Sequence, residues 1–205
     1  MSARTNERCS GLQARPLRSL LIVVIATVSL IASGQSPLPA NRTAASESLL
    51  PRNVVVPLSV VNRFFPKITR EITTGRNLTA VGQSKATRSV IYANSESSKK
   101  VTITVDQYAS SSDASSAYQE AVQKSKIVPG FKPLSAPNLG QNAFIGTATQ
   151  QGETHIGLGA LHGILVVGAT LAGYDPTPQN TAKLISLTRE EERAAKAALD
   201  AIPKE

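Results

Sequence analysis

Residues 143–172 constrain the fold most strongly, because apolar residues alternate there with small or polar residues along two successive segments, and a third, largely apolar segment follows them. The segments read AFIGTATQ, ETHIGLGALH and ILVVGATLA, and Gly152 and Gly163 fall between them. A period of two is the spacing of side chains on one face of a β-strand, and glycine tolerates the backbone of a tight hairpin turn. The pattern predicts a three-stranded antiparallel meander. One face would carry Ile156, Leu158 and Ala160.

Two other interpretations of this stretch depend on its glycines. Gly157-x-Gly159-x3-Gly163 resembles a dinucleotide-binding loop, but such a loop needs a helix N-terminus directly after the glycines, and a strand pattern follows here. A membrane-spanning helix over residues 155–174 would contain two histidines and five glycines and would have acidic flanks. We expect neither, and we expect the glycines to let a helix lie close to the sheet.

The same stretch contains candidate metal ligands. His155 and His162 are the two histidines of the chain, and Glu153 shares a strand face with His155. A zinc site usually needs three or four convergent ligands, whereas His162 falls in a turn and the single cysteine, Cys9, lies near the N-terminus. We expect two ordinary surface or turn histidines, no metal site and no cofactor.

A second region of period two precedes a helical segment. TRSVIYAN and KKVTITVDQY, separated by the polar SESS, predict a β-hairpin with one buried and one solvated face. Residues 110–126 then have an apolar stripe at helical spacing, with Ser112 or Asp113 as the candidate N-cap. A short helix that begins at Pro57 and ends before Pro66 would open the domain.

The C-terminal region is also helical by its pattern. Leu184 and Leu187 fall on one side of a first helical segment, and Thr188 with Glu191 forms a capping-box pair before a second segment. The element order is therefore α-β-β-α-β-β-β-α. It predicts a single α+β domain over residues 49–205, with an antiparallel sheet of about five strands and helices packed on one face.

The first 34 residues are typical of a secretory signal peptide. Four arginines precede the uncharged, mostly apolar run Leu20–Ile31, and small residues follow it up to Gly34. The run is short for a spanning helix, so we expect cleavage, with an uncleaved membrane anchor as the alternative. Residues 35–48 are small, polar and proline-bearing and predict a flexible linker. We expect a periplasmic or secreted protein, or one anchored in the inner membrane if the segment is retained.

Positive charge is concentrated in the first part of the remaining chain. Residues 42–100 have ten basic and three acidic side chains, a net charge of +7, whereas residues 101–205 have eight and ten, a net charge of −2. Such a surface attracts anionic partners, and the poor interleaving of aromatic residues argues against nucleic acid. We expect an anionic envelope component or another envelope protein as partner, and a membrane only if the N-terminal segment is uncleaved. The candidate contacts are Arg63, Lys67, Arg70, Arg76, Lys85 and Arg88.

The sequence contains two candidate catalytic patterns, and neither falls in the structural position that its chemistry needs. Ser97-x-x-Lys100 satisfies a serine–lysine motif, but it falls in the predicted hairpin turn rather than at a helix start. Asp106 and Asp113 could form a carboxylate pair, although one is predicted to face solvent on a strand and the other to cap a helix. We name no catalytic residue, and the enzyme hypothesis, a small periplasmic hydrolase, is the alternative to a binding module.

Residues 86–172 resemble small exported bacterial domains, namely the extracellular sensor domains of actinobacterial serine/threonine kinases and related secreted or lipid-anchored proteins. In these domains a hairpin leads into a helix that opens with Asp-Ala, and a G-x-x-A-F strand precedes a glycine-turned meander. The matching positions here are Asp113-Ala114, Gly140, Ala143, Phe144 and Gly163. The resemblance implies a non-catalytic binding or sensing module of the cell envelope, with no catalytic residues to transfer.

Overall fold

The structure, a computed structural model, describes residues 48–72, 84–150 and 152–201. The predicted signal peptide and almost all of the predicted linker lie outside the described residues, as does Arg76. In chain order the elements are β1 (Ser48–Leu49), a 3-10 helix (Arg52–Val54), α1 (Leu58–Phe64), β2 (Arg70–Ile72), β3 (Ala86–Ala93), β4 (Lys100–Gln107), α2 (Ser111–Lys126), β5 (Lys132–Pro133), β6 (Asn142–Gln150), β7 (Glu153–His162), β8 (Leu165–Ala172) and α3 (Pro178–Asp200).

The predicted meander is confirmed. Strands β6, β7 and β8 pair antiparallel in sequence order, and both turn glycines have positive φ, +80° at Gly152 and +61° at Gly163. The hairpin of β3 and β4 is confirmed too, with Val90 opposite Ile103. Because β4 also pairs antiparallel with β8, the five long strands form one sheet.

The predicted number of about five strands is too small, because three short strands extend the sheet at its edges. The order is β1-β3-β4-β8-β7-β6-β5, and β2 also pairs with β3. Each of the added strands has only two or three residues, too few for an alternating pattern to be visible in the sequence. The pairing of β1 with β3 is parallel, so the sheet is mixed at that edge.

The prediction that the helices pack on one face of the sheet is wrong. Leu158 and Val167 belong to the main core together with Leu184 of α3. Leu161 and Val166 lie on the same two strands but point to the opposite face of the sheet. There they pack with Tyr118 of α2 in a separate cluster. Helix α2 therefore lies on the face opposite α1 and α3, since successive side chains of a strand point to opposite faces.

The face of the β3–β4 hairpin that we predicted to be solvated is buried. Thr102 and Asp106 are each 7% exposed, and Thr87 Oγ1 donates a 2.5 Å hydrogen bond to Asp106 Oδ1 across the two strands. Burial raises the pKa of Asp106 to about 6, and the hydrogen bond from Thr87 opposes that rise. Asp106 is therefore a buried, bonded carboxyl group rather than a solvent-facing residue.

Aromatic rings, rather than a helix, occupy the space above two glycines of the meander. A Cβ at Gly159 would clash with the ring of Phe144, and one at Gly146 would clash with the ring of Phe131. Phe144 in turn contacts Tyr118 edge-on, with ring centroids 5.8 Å apart. These glycines are therefore explained by packing, as glycines inside strands often are.

Helix α1 matches its prediction in extent, with Pro57 as N-cap and Phe65 as C-cap. Helix α2 is confirmed, but its N-cap is Ser110, whose Oγ accepts a hydrogen bond from the Asp113 N–H. The same hydroxyl donates to the Asp113 carboxylate at 2.7 Å. The N-cap thus lies two residues before Ser112, the earlier of the two predicted caps, because the serine run offers several candidates at neighbouring positions.

The predicted capping box at Thr188 and Glu191 is wrong, because both residues are buried inside the single continuous helix α3. Thr188 Oγ1 donates a 2.9 Å hydrogen bond to the Leu184 carbonyl within the helix. Glu191 Oε2 accepts from the backbone N–H of Val56, which is far away in the sequence. The N-cap of α3 is Thr177.

Candidate anion-binding pocket

A pocket of about 210 Å³ lies where the end of α1, the β3–β4 hairpin and the start of α3 meet. Four separate parts of the chain supply its walls, so the fold rather than any local motif creates it. Its lining residues are Phe64, Phe65, Pro66, Lys67, Lys99, Tyr174, Asn180 and Lys183.

Aromatic rings make up the apolar part of this wall. Phe65 and Tyr174 are 3% and 9% exposed, and their rings meet edge-on with centroids 5.2 Å apart. Phe64 is half-buried beside them, and the guanidinium of Arg63 lies 6.0 Å from the centre of its ring. Edge-on packing of two buried rings is a stable arrangement, so the wall is preformed.

Three lysines supply the positive charge of the pocket. Lys67 is exposed, while Lys99 and Lys183 are half-buried. Lys99 Nζ lies 4.5 Å from the centre of the Tyr174 ring, a cation–π distance. None of the described residues that line the pocket is acidic, so the three ammonium groups have no carboxylate partner within this wall.

The loop between β8 and α3 places Tyr174 against the hairpin. Gly173 has a φ of +74°, and a Cβ at this position would clash with the Ser98 carbonyl oxygen. Only glycine allows so close an approach in this backbone conformation. On the other side, the Asn94 Oδ1 accepts a 2.9 Å hydrogen bond from the Lys99 N–H, which holds the turn that presents Lys99.

Two further features affect a ligand in the pocket. The hydroxyl of Tyr174 is buried and has no hydrogen-bond partner among the described residues. Burial raises the pKa of Tyr174 to about 12, so the phenol is neutral at physiological pH. Asn180 and Lys183 lie in the first two turns of α3, where the helix dipole is positive and favours anions.

The six predicted contact residues do not lie together. Lys67 lines the pocket and Arg63 is adjacent to it. Arg70 donates a 2.5 Å hydrogen bond from Nη2 to Ser97 Oγ in the hairpin turn. Lys85 precedes β3, at the end of that strand remote from Arg70, whose partner in the sheet is Ala93.

The last two of the six are Arg88 and Arg76. Arg88 Nε donates a 2.6 Å hydrogen bond to the Leu50 carbonyl oxygen and is half-buried, so it ties the N-terminal segment to β3. Arg76 lies outside the described residues. The basic segment is therefore spread along β3, and one end of it reaches the pocket.

Two of the three pocket lysines were missed by sequence reasoning. Lys99 follows the hairpin turn and Lys183 lies in the C-terminal helix, whereas the prediction considered only the basic cluster around α1. The hairpin register would have placed Lys99 beside the end of β3, but nothing in the sequence indicates that α3 begins at the same place.

The other chemical candidates do not assemble into a site. Ser97 and Ser98 lie in the β3–β4 turn, where the serine–lysine motif has no helix to support it. His155 is 8% exposed, not the surface residue that we predicted, and its Nε2 is 3.7 Å from the Glu153 carboxylate. Burial lowers the pKa of His155, and Glu153 opposes the decrease.

The described residues contain no cluster of metal ligands and no helix that could cross a membrane. There, no three histidine, cysteine, aspartate or glutamate side chains converge as a metal site would require. Each of the helices in residues 48–72, 84–150 and 152–201 is too short or too polar to cross a bilayer.

Comparison with known proteins shows a coarse structural likeness. No protein-family profile and no curated protein sequence matches the chain. Among solved structures, the chain is similar to the extracellular domain of PknH from Mycobacterium tuberculosis, with 12% identity, a TM-score of 0.47, and coverage of 68% of this chain and 93% of that one. It is also similar to LpqN, involved in cell envelope biogenesis of Mycobacterium tuberculosis, with 15% identity, a TM-score of 0.31, and coverage of 58% and 85%.

Both matched proteins are of the extracellular or envelope kind that the sequence resemblance named. At these identities and TM-scores the likeness carries no function, ligand or partner over to this chain.

Proposed function

We propose that this protein is a non-catalytic binding module of the bacterial cell envelope, and that it holds an anionic ligand in the pocket between α1, the β3–β4 hairpin and α3. The observation that carries the proposal is the placement of Lys67, Lys99 and Lys183, from three separate elements, around a wall of buried rings. Ammonium groups bind phosphate and carboxylate oxygens by charge-assisted hydrogen bonds.

The lining also defines the kind of anion. A pocket with Phe64, Phe65 and Tyr174 beside its lysines favours a ligand that has a ring or another flat apolar part next to its charge. Its volume of about 210 Å³ accommodates a small group rather than a polymer. The ligand would therefore be a small envelope metabolite, or the anionic terminus of a larger envelope component or partner protein.

Calorimetric titration of the purified protein with inorganic phosphate and with phenyl phosphate tests this proposal. Phenyl phosphate should bind more tightly than phosphate, and binding of both should weaken as the salt concentration rises. The double substitution Lys99→Gln with Lys183→Gln should reduce affinity at least tenfold. Lys85→Gln is the matched control, because it makes the same substitution at a lysine remote from the pocket.

Two results would contradict the proposal. One is equal loss of affinity in the Lys85 control and in the pocket variants, which would indicate a diffuse charge effect. The other is saturable binding that persists unchanged without Lys99 and Lys183, which would place the anion elsewhere on the molecule.

A further inference from the structure

An exposed apolar and basic segment follows helix α2, on the far side of the sheet from α1 and α3. Ile127, the C-cap residue of α2, is 78% exposed, far more than the 36–38% of Ile72, Leu134 and Ile164. We call residues 126–134 the Ile127 loop. Its sequence, KIVPGFKPL, has a lysine at each side of the exposed apolar residues.

The loop is fixed to the body of the protein, so the exposure of Ile127 belongs to a defined backbone. The N–H of Val128 donates to the Ser125 carbonyl at 3.2 Å, and that of Phe131 donates to the Val128 carbonyl at 3.0 Å. The ring of Phe131 covers Gly146, which anchors the loop to β6. Ile127 is thus held outward while its neighbours are held in place.

Along the chain, the charged residues that flank the loop are all lysines. No acidic residue occurs between Glu120 and Glu153, whereas Lys124, Lys126 and Lys132 all lie in this interval. Lys124 Nζ is 2.6 Å from the Glu120 carboxylate. Lys126 and Lys132 are exposed and form no salt bridge within the described residues.

We propose that the Ile127 loop docks on an anionic lipid surface, with Ile127 entering the headgroup region and Lys126 and Lys132 contacting lipid phosphates. A protruding apolar side chain between basic residues matches the boundary of such a membrane, where apolar burial and attraction to anionic headgroups add together. A protein partner would need a larger contiguous patch than one prominent side chain. This docking is independent of the anion pocket and does not require the N-terminal segment.

The chain has no tryptophan, so Ile127→Trp introduces a single fluorescent reporter at the tip of the loop. On vesicles of phosphatidylcholine mixed with phosphatidylglycerol, its emission should shift to shorter wavelength and be quenched by brominated acyl chains. Ile164→Trp is the matched control, because Ile164 is an exposed isoleucine in the β7–β8 turn, with no lysine between Lys132 and Lys183. The control should show neither effect.

Sedimentation with the same vesicles measures the contributions of the two kinds of contact. Ile127→Ser should lower the partition coefficient about tenfold, because it removes the apolar side chain that enters the membrane. Lys126→Gln and Lys132→Gln should each lower it about fivefold, while Lys85→Gln should not. Lys99→Gln with Lys183→Gln should also leave it unchanged, which separates this interaction from anion binding in the pocket.

Three outcomes would overturn the proposal. The indole at position 127 could remain in a water-like environment on anionic vesicles. It could respond equally to phosphatidylcholine alone, which would remove the role of the lysines. Finally, Ile127→Ser could sediment as the unmodified protein does, in which case the loop faces water or a protein partner instead of lipid.

Discussion

The carboxyl group of Glu191, in the middle of α3, accepts a 2.8 Å hydrogen bond from the backbone N–H of Val56. Glu191 is fully buried, and its second oxygen has no hydrogen-bond partner among the described residues. The Val56 carbonyl in turn accepts from the Tyr92 hydroxyl. The segment after the 3-10 helix is therefore held between α3 and β3 by polar contacts inside an apolar core.

A second set of contacts holds the same segment from the opposite end. Arg52 Nη2 is 2.6 Å from the Glu71 carboxylate and 3.2 Å from the Tyr92 hydroxyl, and its Nη1 donates to the Val55 carbonyl at 2.8 Å. Val54, Val55 and Val56 are each at most 3% exposed. The polar contacts thus fix the register of a short apolar segment that would otherwise be held by packing alone.

We expect the free energy of unfolding to fall as the pH rises from 6.5 to 8. Burial raises the pKa of Glu191 to about 8, although the Val56 N–H and Arg52 oppose the rise. In this window the unfolded chain is ionised at this position and the folded protein is not, so stability is lost with increasing pH until the folded pKa is passed. The loss should be about 2 kcal/mol. Urea unfolding at intervals across this range measures it.

The substitution Glu191→Gln identifies the group responsible. Glutamine stays neutral and can still accept from the Val56 N–H, so the pH dependence of this variant between pH 6.5 and 8 should be much smaller. Asp106, with a pKa of about 6, and His155, with a lowered pKa, change protonation mainly below this window. A variant whose stability falls as steeply as that of the unmodified protein would show that Glu191 is not the titrating group.

The strands could be predicted from the sequence because their signal is local. Alternation in β3, β4, β6 and β7, the apolar run of β8, and Gly152 and Gly163 at two turns are enough to assign type and order. The face occupied by each helix could not be predicted, since α2 has an apolar stripe whichever side of the sheet it covers. The burial of Thr102 and Asp106 is a consequence of this tertiary arrangement.

The contacts of Glu191 and the lysines of the pocket could not be predicted from the sequence either. Thr188 and Glu191 have the spacing of a capping box, and only the position of Val56 reveals that Glu191 bonds to a remote backbone. Likewise Lys67 was among the predicted contacts, but Lys99 and Lys183 become its neighbours through tertiary packing. Long-range contacts of this kind leave no pattern in a single sequence.

Tyr174→Phe should leave the stability unchanged or raise it by up to about 1 kcal/mol. The hydroxyl is buried without a partner among the described residues, so its removal relieves an uncompensated desolvation cost. The ring contacts with Phe65 and Lys99 are retained, and the affinity for phenyl phosphate should therefore persist. Thermal unfolding and calorimetric titration measure the two quantities. A loss above about 1 kcal/mol would mean that the hydroxyl has a partner.

Ser110→Ala should destabilise the protein by about 1 kcal/mol, because it removes the oxygen that caps the Asp113 N–H at the start of α2. Ser112→Ala is the control. Ser112 is exposed in the first turn and was itself a candidate cap by its position, so its substitution should cost little. Urea unfolding of both variants distinguishes the two assignments. If Ser112→Ala lowered the free energy of unfolding more than Ser110→Ala, then Ser112 rather than Ser110 would be the N-cap of α2.

Gly173→Ala tests how the pocket is built. Alanine at this position must adopt a φ of +74° and places its Cβ against the Ser98 carbonyl oxygen, so the loop before α3 has to shift. We expect a loss of stability of at least about 2 kcal/mol, since a positive φ alone costs about 1–2 kcal/mol for alanine. Because Tyr174 would move away from Lys99, the affinity for phenyl phosphate should fall as well.

Gly152→Ala separates the cost of a positive φ from the cost of the steric clash with the Ser98 carbonyl oxygen. Gly152 has a similar φ of +80°, but a Cβ there has nothing within 4 Å. This variant should lose only the conformational part, about 1 kcal/mol, and should bind phenyl phosphate as the unmodified protein does. Equal losses of stability in the two variants would mean that the β3–β4 hairpin shifts to accommodate the methyl group added at position 173. Unchanged ligand affinity in Gly173→Ala would show that contact between this loop and the hairpin does not position the pocket wall.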